Sequence, residues 1–134
     1  MASSTSFQRK RKLPFKRELA DDQTTIDELR KMVREFVDER DWQQFHAPKN
    51  ISMALAVEAA ELMEHFQWLT LDASREIRDD AATKQDVGEE LADVVCYAMA
   101  LANELDIDIS TAMQNKMVKN RQKYPADKFK GRYE

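Results

Sequence analysis

Four carboxylates stand where helices would otherwise bury hydrocarbon. In the stretch from Asn50 to Trp68, Glu58 and Glu61 are three residues apart, and Glu90 and Asp93 repeat that spacing in a second apolar segment. At about 100° per residue, Ile51, Leu55, Leu62, Phe66 and Leu69 share one side of a helix. Glu58 points into the middle of that stripe, and Glu61 lies one turn on, at its edge. The second pair sits among Leu91, Val94, Val95, Ala98 and Leu101. Both pairs therefore face inward. Two ionised carboxylates about 5 Å apart repel by about 3 kcal/mol at an effective dielectric near 20, and each also loses hydration on burial. A cationic species has to offset this.

Converging carboxylates with no obligatory thiolate or imidazole form a hard oxygen site, suited to Mg²⁺ or Mn²⁺ rather than zinc. Such an ion cancels the repulsion, polarises a phosphoryl oxygen and positions water, while a spare carboxylate accepts the water proton. Two other readings compete with this one. A di-iron bundle uses Glu-x-x-His motifs, but the residue three before His65 is Leu62, and that pattern is absent. His46 and His65 are therefore read as local hydrogen-bonding residues. Alternatively, the carboxylates pair with Lys or Arg across a helical interface in a non-catalytic interaction protein. Titration with Mg²⁺ separates the two classes.

The elements that must position these groups are helices. The 134 residues include only two Gly and three Pro, and no run of alternating β-branched residues interrupts the helix-forming composition. The spacing predicts an all-α single domain, a four-helix bundle. Thr25 with Glu28 signals a capping box, and Ile26, Leu29, Val33, Phe36 and Val37 then supply an apolar face for a first helix over about 26–40. A loop carrying Trp42 runs to Pro48. The second helix is expected over about 50–69, followed by a polar connector over 71–82 with at most a short helical turn. A third helix begins near Thr83 and continues through Glu104. It is apolar around most of its circumference, which places it inside a bundle or a subunit interface. Asp108 or Ser110 caps a fourth helix that ends before Pro125, and it sets Lys116, Asn120 and Lys123 on one face with Arg121 adjacent. That row is either a solvated face or a phosphate clamp.

The formal charge of −4 comes from 21 basic and 25 acidic residues. Six of the basic residues, Arg9, Lys10, Arg11, Lys12, Lys16 and Arg17, precede the first acidic one, Glu18. Removing them leaves 15 basic against 25 acidic, a net of −10. An acidic body disfavours duplex nucleic acid as a stable partner. Residues 1–22 read as a basic, disordered arm, either a solvated tail or a nuclear-import or polyanion patch; 23–125 form the helical domain, and 126–134 a short basic tail. Cys96 is the only cysteine, so no disulfide or thiolate zinc site forms within one chain, and its apolar neighbours predict a buried, reduced thiol. Without a membrane-spanning run or a secretory core, a cytoplasmic protein is expected, with the basic run allowing a nuclear one.

The ordered motifs then resemble a known family, the MazG-like all-α nucleoside triphosphate pyrophosphohydrolases of the dCTP pyrophosphatase type. The resemblance runs from about Leu29 to Pro125. It rests on Glu-Arg-Asp-Trp-Gln-Gln-Phe-His at 39–46, on Glu58-x-x-Glu61 followed by Phe66-Gln67-Trp68, and on Glu89-Glu90-Leu-Ala-Asp93 followed by Tyr97. Lys116-Met through Asn120-Arg121 to Tyr124-Pro125 completes it. It implies that Glu58, Glu61, Glu90 and Asp93 bind Mg²⁺ and that water splits the α–β phosphate linkage of dCTP or a modified dCTP, in nucleotide-pool sanitation. Trp42, Trp68 and Tyr97 match aromatics around the base and sugar, Lys116 and Asn120 match positions near the phosphates, and Arg121 and Lys123 flank them. The resemblance also implies dimers, often paired into tetramers, with a site built partly from a neighbour. One departure stands out: the animal enzymes carry a histidine aligned with Val33, and a longer connector between the acidic motifs. Substrate range is where this chain is free to differ, toward dUTP, dATP or several triphosphates.

Overall fold

The computed structural model describes residues 17–132, and every regular element among them is helical. A single turn of 3₁₀ helix at Asp21–Gln23 leads into α1 (Ile26–Glu39). A second such turn at Gln43–Phe45 precedes α2 (Pro48–Glu64), and the short α3 (Leu71–Glu76) runs into a third at Ile77–Asp79. The longest helix, α4 (Ala81–Glu104), is followed by α5 (Ile109–Lys123) and by one turn, α6 (Ala126–Phe129). Arg9 to Lys12 and Lys16 lie outside the described residues. The end of the basic arm is tied down, since Arg17 donates to the Gln23 carbonyl at 2.8 Å and pairs with Glu28 at 3.0 Å.

Local chemistry sets most helix boundaries. The Thr25 hydroxyl accepts from the Glu28 N–H at 3.1 Å, and the Glu28 carboxylate accepts from the Thr25 N–H at 2.7 Å, a reciprocal capping box. At the other end of α1, Asp41 takes a left-handed conformation (φ 53°). This lets the Asp41 N–H reach the Asp38 carbonyl, and the Trp42 N–H the Val37 carbonyl, each at 3.1 Å. The reversal folds Trp42 back onto Phe36, edge to face at 5.8 Å, with the Arg40 guanidinium over the Phe36 ring at 3.7 Å. Asp106 (φ 51°) reverses the chain in the same way after α4, where the Ile107 N–H returns to the Ala102 carbonyl.

The core lies along α4. α2 packs most closely against it, and α1 covers a second side. Val37, Ile51, Met99, Ala100 and Ala102 are buried, Ile51 to 2% exposure. Asn103 clasps α1 to α4: its Oδ1 accepts from Arg30 Nε and from Arg34 Nη2, both at 3.1 Å, and its Nδ2 donates to the Arg30 carbonyl at 3.0 Å.

Several boundaries differ from the sequence-based expectation. α2 starts at Pro48, whose fixed φ suits the first helical position, and stops at Glu64, so Phe66, Trp68 and Leu69 follow it in a turn. α4 starts at Ala81 because the Asp80 side chain caps it, accepting from the Thr83 N–H and hydroxyl; Thr83 is inside the helix. The connector holds a full short helix, α3, capped by Thr70. Asp108 rather than Ser110 caps α5. Cys96 is exposed, not buried, because α1 and α2 leave part of α4's apolar circumference uncovered; Leu91 on the same helix is 49% exposed.

α1, α2, α4 and α5 are the four long helices of the bundle. Within the chain α5 has little packing, and its Met113, Met117 and Val118 are exposed.

Candidate functional site

The packing of α2 on α4 brings the two acidic pairs face to face. One carboxylate oxygen from each of Glu58, Glu90 and Asp93 lies within 4.8 Å of the others. Glu58, from the middle of the α2 stripe, is half-buried, and its Oε2 is buried with no hydrogen-bond partner. Glu61, one turn on and exposed, raises the proton affinity of both Glu58 and Glu90. Two ionised carboxylates have no proton to share, so the Glu58 oxygen is satisfied only by a proton or a cation.

The electrostatics agree. Loss of hydration pushes the Glu58 carboxyl above the usual glutamate range, and the Glu61, Asp93 and Glu90 carboxylates push it further. Glu90 is raised for the same reasons, loss of hydration first and Glu61 next, with His65 acting in the opposite direction. Among the described residues the ion pairs are Arg17–Glu28, Lys31–Asp27, Arg40–Glu39 and Arg75–Asp72, and none reaches the cluster. The donor set is all oxygen and no ion pair offsets the repulsion, which fits a hard divalent cation.

Beside Asp93 opens a hollow of about 380 Å³, walled by Phe36 and Val37 of α1, by Trp42 and His46 of the following loop, and by Cys96 and Tyr97 of α4. The Asp41 reversal and the Phe36 contact place Trp42 at its side. The hollow is lined by three aromatic rings, Phe36, Trp42 and Tyr97, and reaches the carboxylates at Asp93. Surrounding apolar groups push the Cys96 thiol up, with Asp93 adding to the effect, so it stays protonated.

The structure therefore brings together Glu58, Glu61, Glu90, Asp93, Trp42 and Tyr97. It does not bring Trp68 to the hollow; this residue lies in the turn after α2 at 87% exposure. Nor do Lys116, Asn120, Arg121 and Lys123 reach the cluster within the chain. Asn120 Nδ2 approaches Met117 Sδ at 3.8 Å, and Lys123 lies over the Tyr124 ring at 5.1 Å. Phe36 and His46 are wall residues that sequence reasoning missed. The motif around Trp42 contained His46, but its loop position gave no periodicity from which to infer a facing direction. Among the described residues no helix is long and apolar enough to cross a membrane.

The fold and site define an all-helical class of protein with a carboxylate cluster facing inward beside an aromatic hollow. The particular family follows from comparison: residues 53–134 match the MazG-like family, and the chain belongs to it. It is similar to dCTP pyrophosphatase 1 of Homo sapiens, 40% identical over 102 residues, covering 76% of this chain and 60% of that protein. The Rattus norvegicus protein of the same name is 38% identical over 107 residues, covering 80% of this chain and 63% of that one. The chain thus spans less than two thirds of the length of these relatives. A crystal structure of a pyrophosphatase from Archaeoglobus fulgidus superposes with a TM-score of 0.70 at 37% identity, covering 81% of this chain and 99% of that one.

Proposed function

We propose that this protein hydrolyses a deoxynucleoside triphosphate, dCTP or a modified dCTP first, to the monophosphate and pyrophosphate with Mg²⁺, and so clears the nucleotide pool. The single observation that carries the reading is the carboxylate cluster of Glu58, Glu90 and Asp93, its unpartnered Glu58 oxygen, and the aromatic hollow opening beside Asp93. The names of the relatives, dCTP pyrophosphatase 1, support the substrate.

Glu58, Glu90 and Asp93 would hold the ion, with Glu61 completing the set or standing at its edge. Mg²⁺, or Mn²⁺ in its place, supplies charge for the phosphate oxygens and lowers the pKa of nearby water. Glu61, outside the three-oxygen cluster, would accept a proton from attacking water. Trp42 and Tyr97 flank the base and sugar, and the apolar wall excludes water from that end of the substrate. Lys116, Asn120, Arg121, Lys123 and Trp68 act on the substrate only if a second subunit supplies them. A homodimer or homotetramer is consistent with the loosely packed α5 and the exposed apolar face of α4. A cytoplasmic site of action suits the nucleotide pool and the unpaired Cys96.

A panel of nucleoside triphosphates, incubated with Mg²⁺ and with chelator, tests this. Turnover of dCTP that the chelator stops is expected; equal turnover with chelator would contradict the metal dependence, and binding without turnover would leave a nucleotide-binding interaction protein. A stacked base is worth about 1–3 kcal/mol, so Trp42→Ala should raise the KM for dCTP about tenfold or more with a smaller change in kcat. Unchanged KM would remove Trp42 from the base site.

A further inference from the structure

We infer that Arg40 is a positioning residue: its guanidinium clamps the Phe36 and Trp42 rings into the wall of the aromatic hollow without itself lining the hollow. The inference rests on the proposed nucleotide site and concerns how its aromatic wall is built before any substrate arrives.

Phe36 stands in the last turn of α1, and Trp42 follows the left-handed Asp41. Both rings line the hollow, yet burial does not hold either one, since Phe36 is 48% and Trp42 42% exposed. A side chain open to solvent on one side has other rotamers within reach, and settling into one of them costs entropy. A wall made of two such rings needs a contact from outside the core.

Arg40 supplies that contact. Its guanidinium carbon lies over the Phe36 ring, 3.7 Å from the centroid, and 6.0 Å from the Trp42 centroid, at the outer limit of cation–π attraction. The two rings meet edge to face, with centroids 5.8 Å apart and planes inclined by 75°, so fixing Phe36 also fixes a neighbour of Trp42. The guanidinium is itself anchored. Its Nη1 donates to the Phe36 carbonyl at 2.9 Å and to the Glu39 carboxylate at 3.4 Å. The Arg40 N–H goes to the Val37 carbonyl at 3.3 Å, which leaves the Phe36 carbonyl for the side chain, and a cation at this end of α1 also complements the helix dipole. One residue thus closes the last turn of α1 and sets the ring that this turn presents. Because Arg40 is absent from the lining of the hollow, it acts on a bound base only through Phe36 and Trp42. Lysine would keep the charge at the helix end but has no flat face to lay on a ring. A plain helix cap is the competing role, and it has different consequences.

The test compares wild type, Arg40→Ala, Arg40→Lys and Thr25→Ala. Thr25→Ala breaks the capping box at the far end of α1 and so weakens the helix without touching the wall. In the free protein, the near-ultraviolet circular dichroism of Trp42, assigned by its loss in Trp42→Phe, should lose most of its intensity in Arg40→Ala. Arg40→Lys should recover part of it, and Thr25→Ala should leave it unchanged. The KM for dCTP should rise about two- to fivefold in Arg40→Ala with a smaller change in kcat, again with partial recovery in Arg40→Lys. A retained Trp42 band or an unchanged KM in Arg40→Ala overturns the inference while leaving the proposed activity intact. So does full recovery in Arg40→Lys, or an equal effect of Thr25→Ala. If the wild type turns over no triphosphate, the proposed activity fails, and the clamp is read from the Trp42 band alone, which needs no substrate: its loss in Arg40→Ala but not in Thr25→Ala supports the clamp, and its retention overturns it.

Discussion

Replacing Glu58 with Gln should lower dCTP turnover by about 10²–10³-fold or more and at the same time make the metal-free protein more stable. The two effects have one cause. Glu58 is half-buried, its Oε2 has no partner, and three further carboxylates raise its proton affinity. A neutral amide removes that repulsion from the folded state, so the urea midpoint of chelated Glu58→Gln should exceed that of chelated wild type. The same change removes a charged ligand for the ion, and losing one element of transition-state charge stabilisation costs about 3–4 kcal/mol in barrier. An isosteric substitution that reduces activity and also reduces stability without metal would mark Glu58 as an ordinary packing residue.

A second large effect is the response of stability to Mg²⁺ and pH together. At a hundredfold excess over its dissociation constant, an ion bound only by the folded state stabilises it by about 2.7 kcal/mol, which for a domain of this size raises Tm by about 10 °C. The pH dependence follows from Glu58 and Glu90, both raised in the folded state. A raised carboxyl favours folding when protonated. Its contribution is complete below the ordinary glutamate range and is lost as pH rises through the raised values. Chelated protein should therefore lose stability across the interval just above the ordinary glutamate range. Mg²⁺ should abolish that loss, and its own stabilising effect should shrink as pH falls and protons displace it.

The exposed carboxylates Asp27, Glu28, Asp80 and Asp108 have the opposite sign. Side-chain bonds from Lys31 and Thr83 lead for Asp27 and Asp80, and backbone bonds from Thr25 and Thr111 for Glu28 and Asp108; all four are lowered. Their contribution is lost as pH falls through the lowered values, a separate and more acidic window. Scanning calorimetry from strongly acid to mildly alkaline pH, with chelator and with Mg²⁺, reads both. Identical curves with and without Mg²⁺ would contradict the cation site.

The carboxylate cluster was legible in the sequence because helical periodicity alone tells which residues share a face. Glu58 in mid-stripe and Glu61 at the edge emerge as a half-buried and an exposed carboxylate, and Glu90 and Asp93 meet them from α4. Periodicity fails where a helix stops. α2 ends at Glu64, so the direction of Trp68 is set by turn geometry, and the side chain points into solvent in the single chain. It also says nothing of what covers an apolar face. Cys96 has the neighbours of a core residue, yet α1 and α2 leave its side of α4 open.

His46 was hidden for a third reason. Its position depends on the left-handed Asp41 and the turn after it, which carry the loop back across the end of the α1–α4 pair. The aspartate and tryptophan were visible as residues, but the reversal they make was not.

The most direct measurement is the identity of the products released from dCTP by purified protein with Mg²⁺, resolved by phosphorus NMR. Cleavage between the α and β phosphates gives dCMP and pyrophosphate, the result this account predicts. Orthophosphate with dCDP, formed at a comparable rate and equally suppressed by chelator, would contradict it.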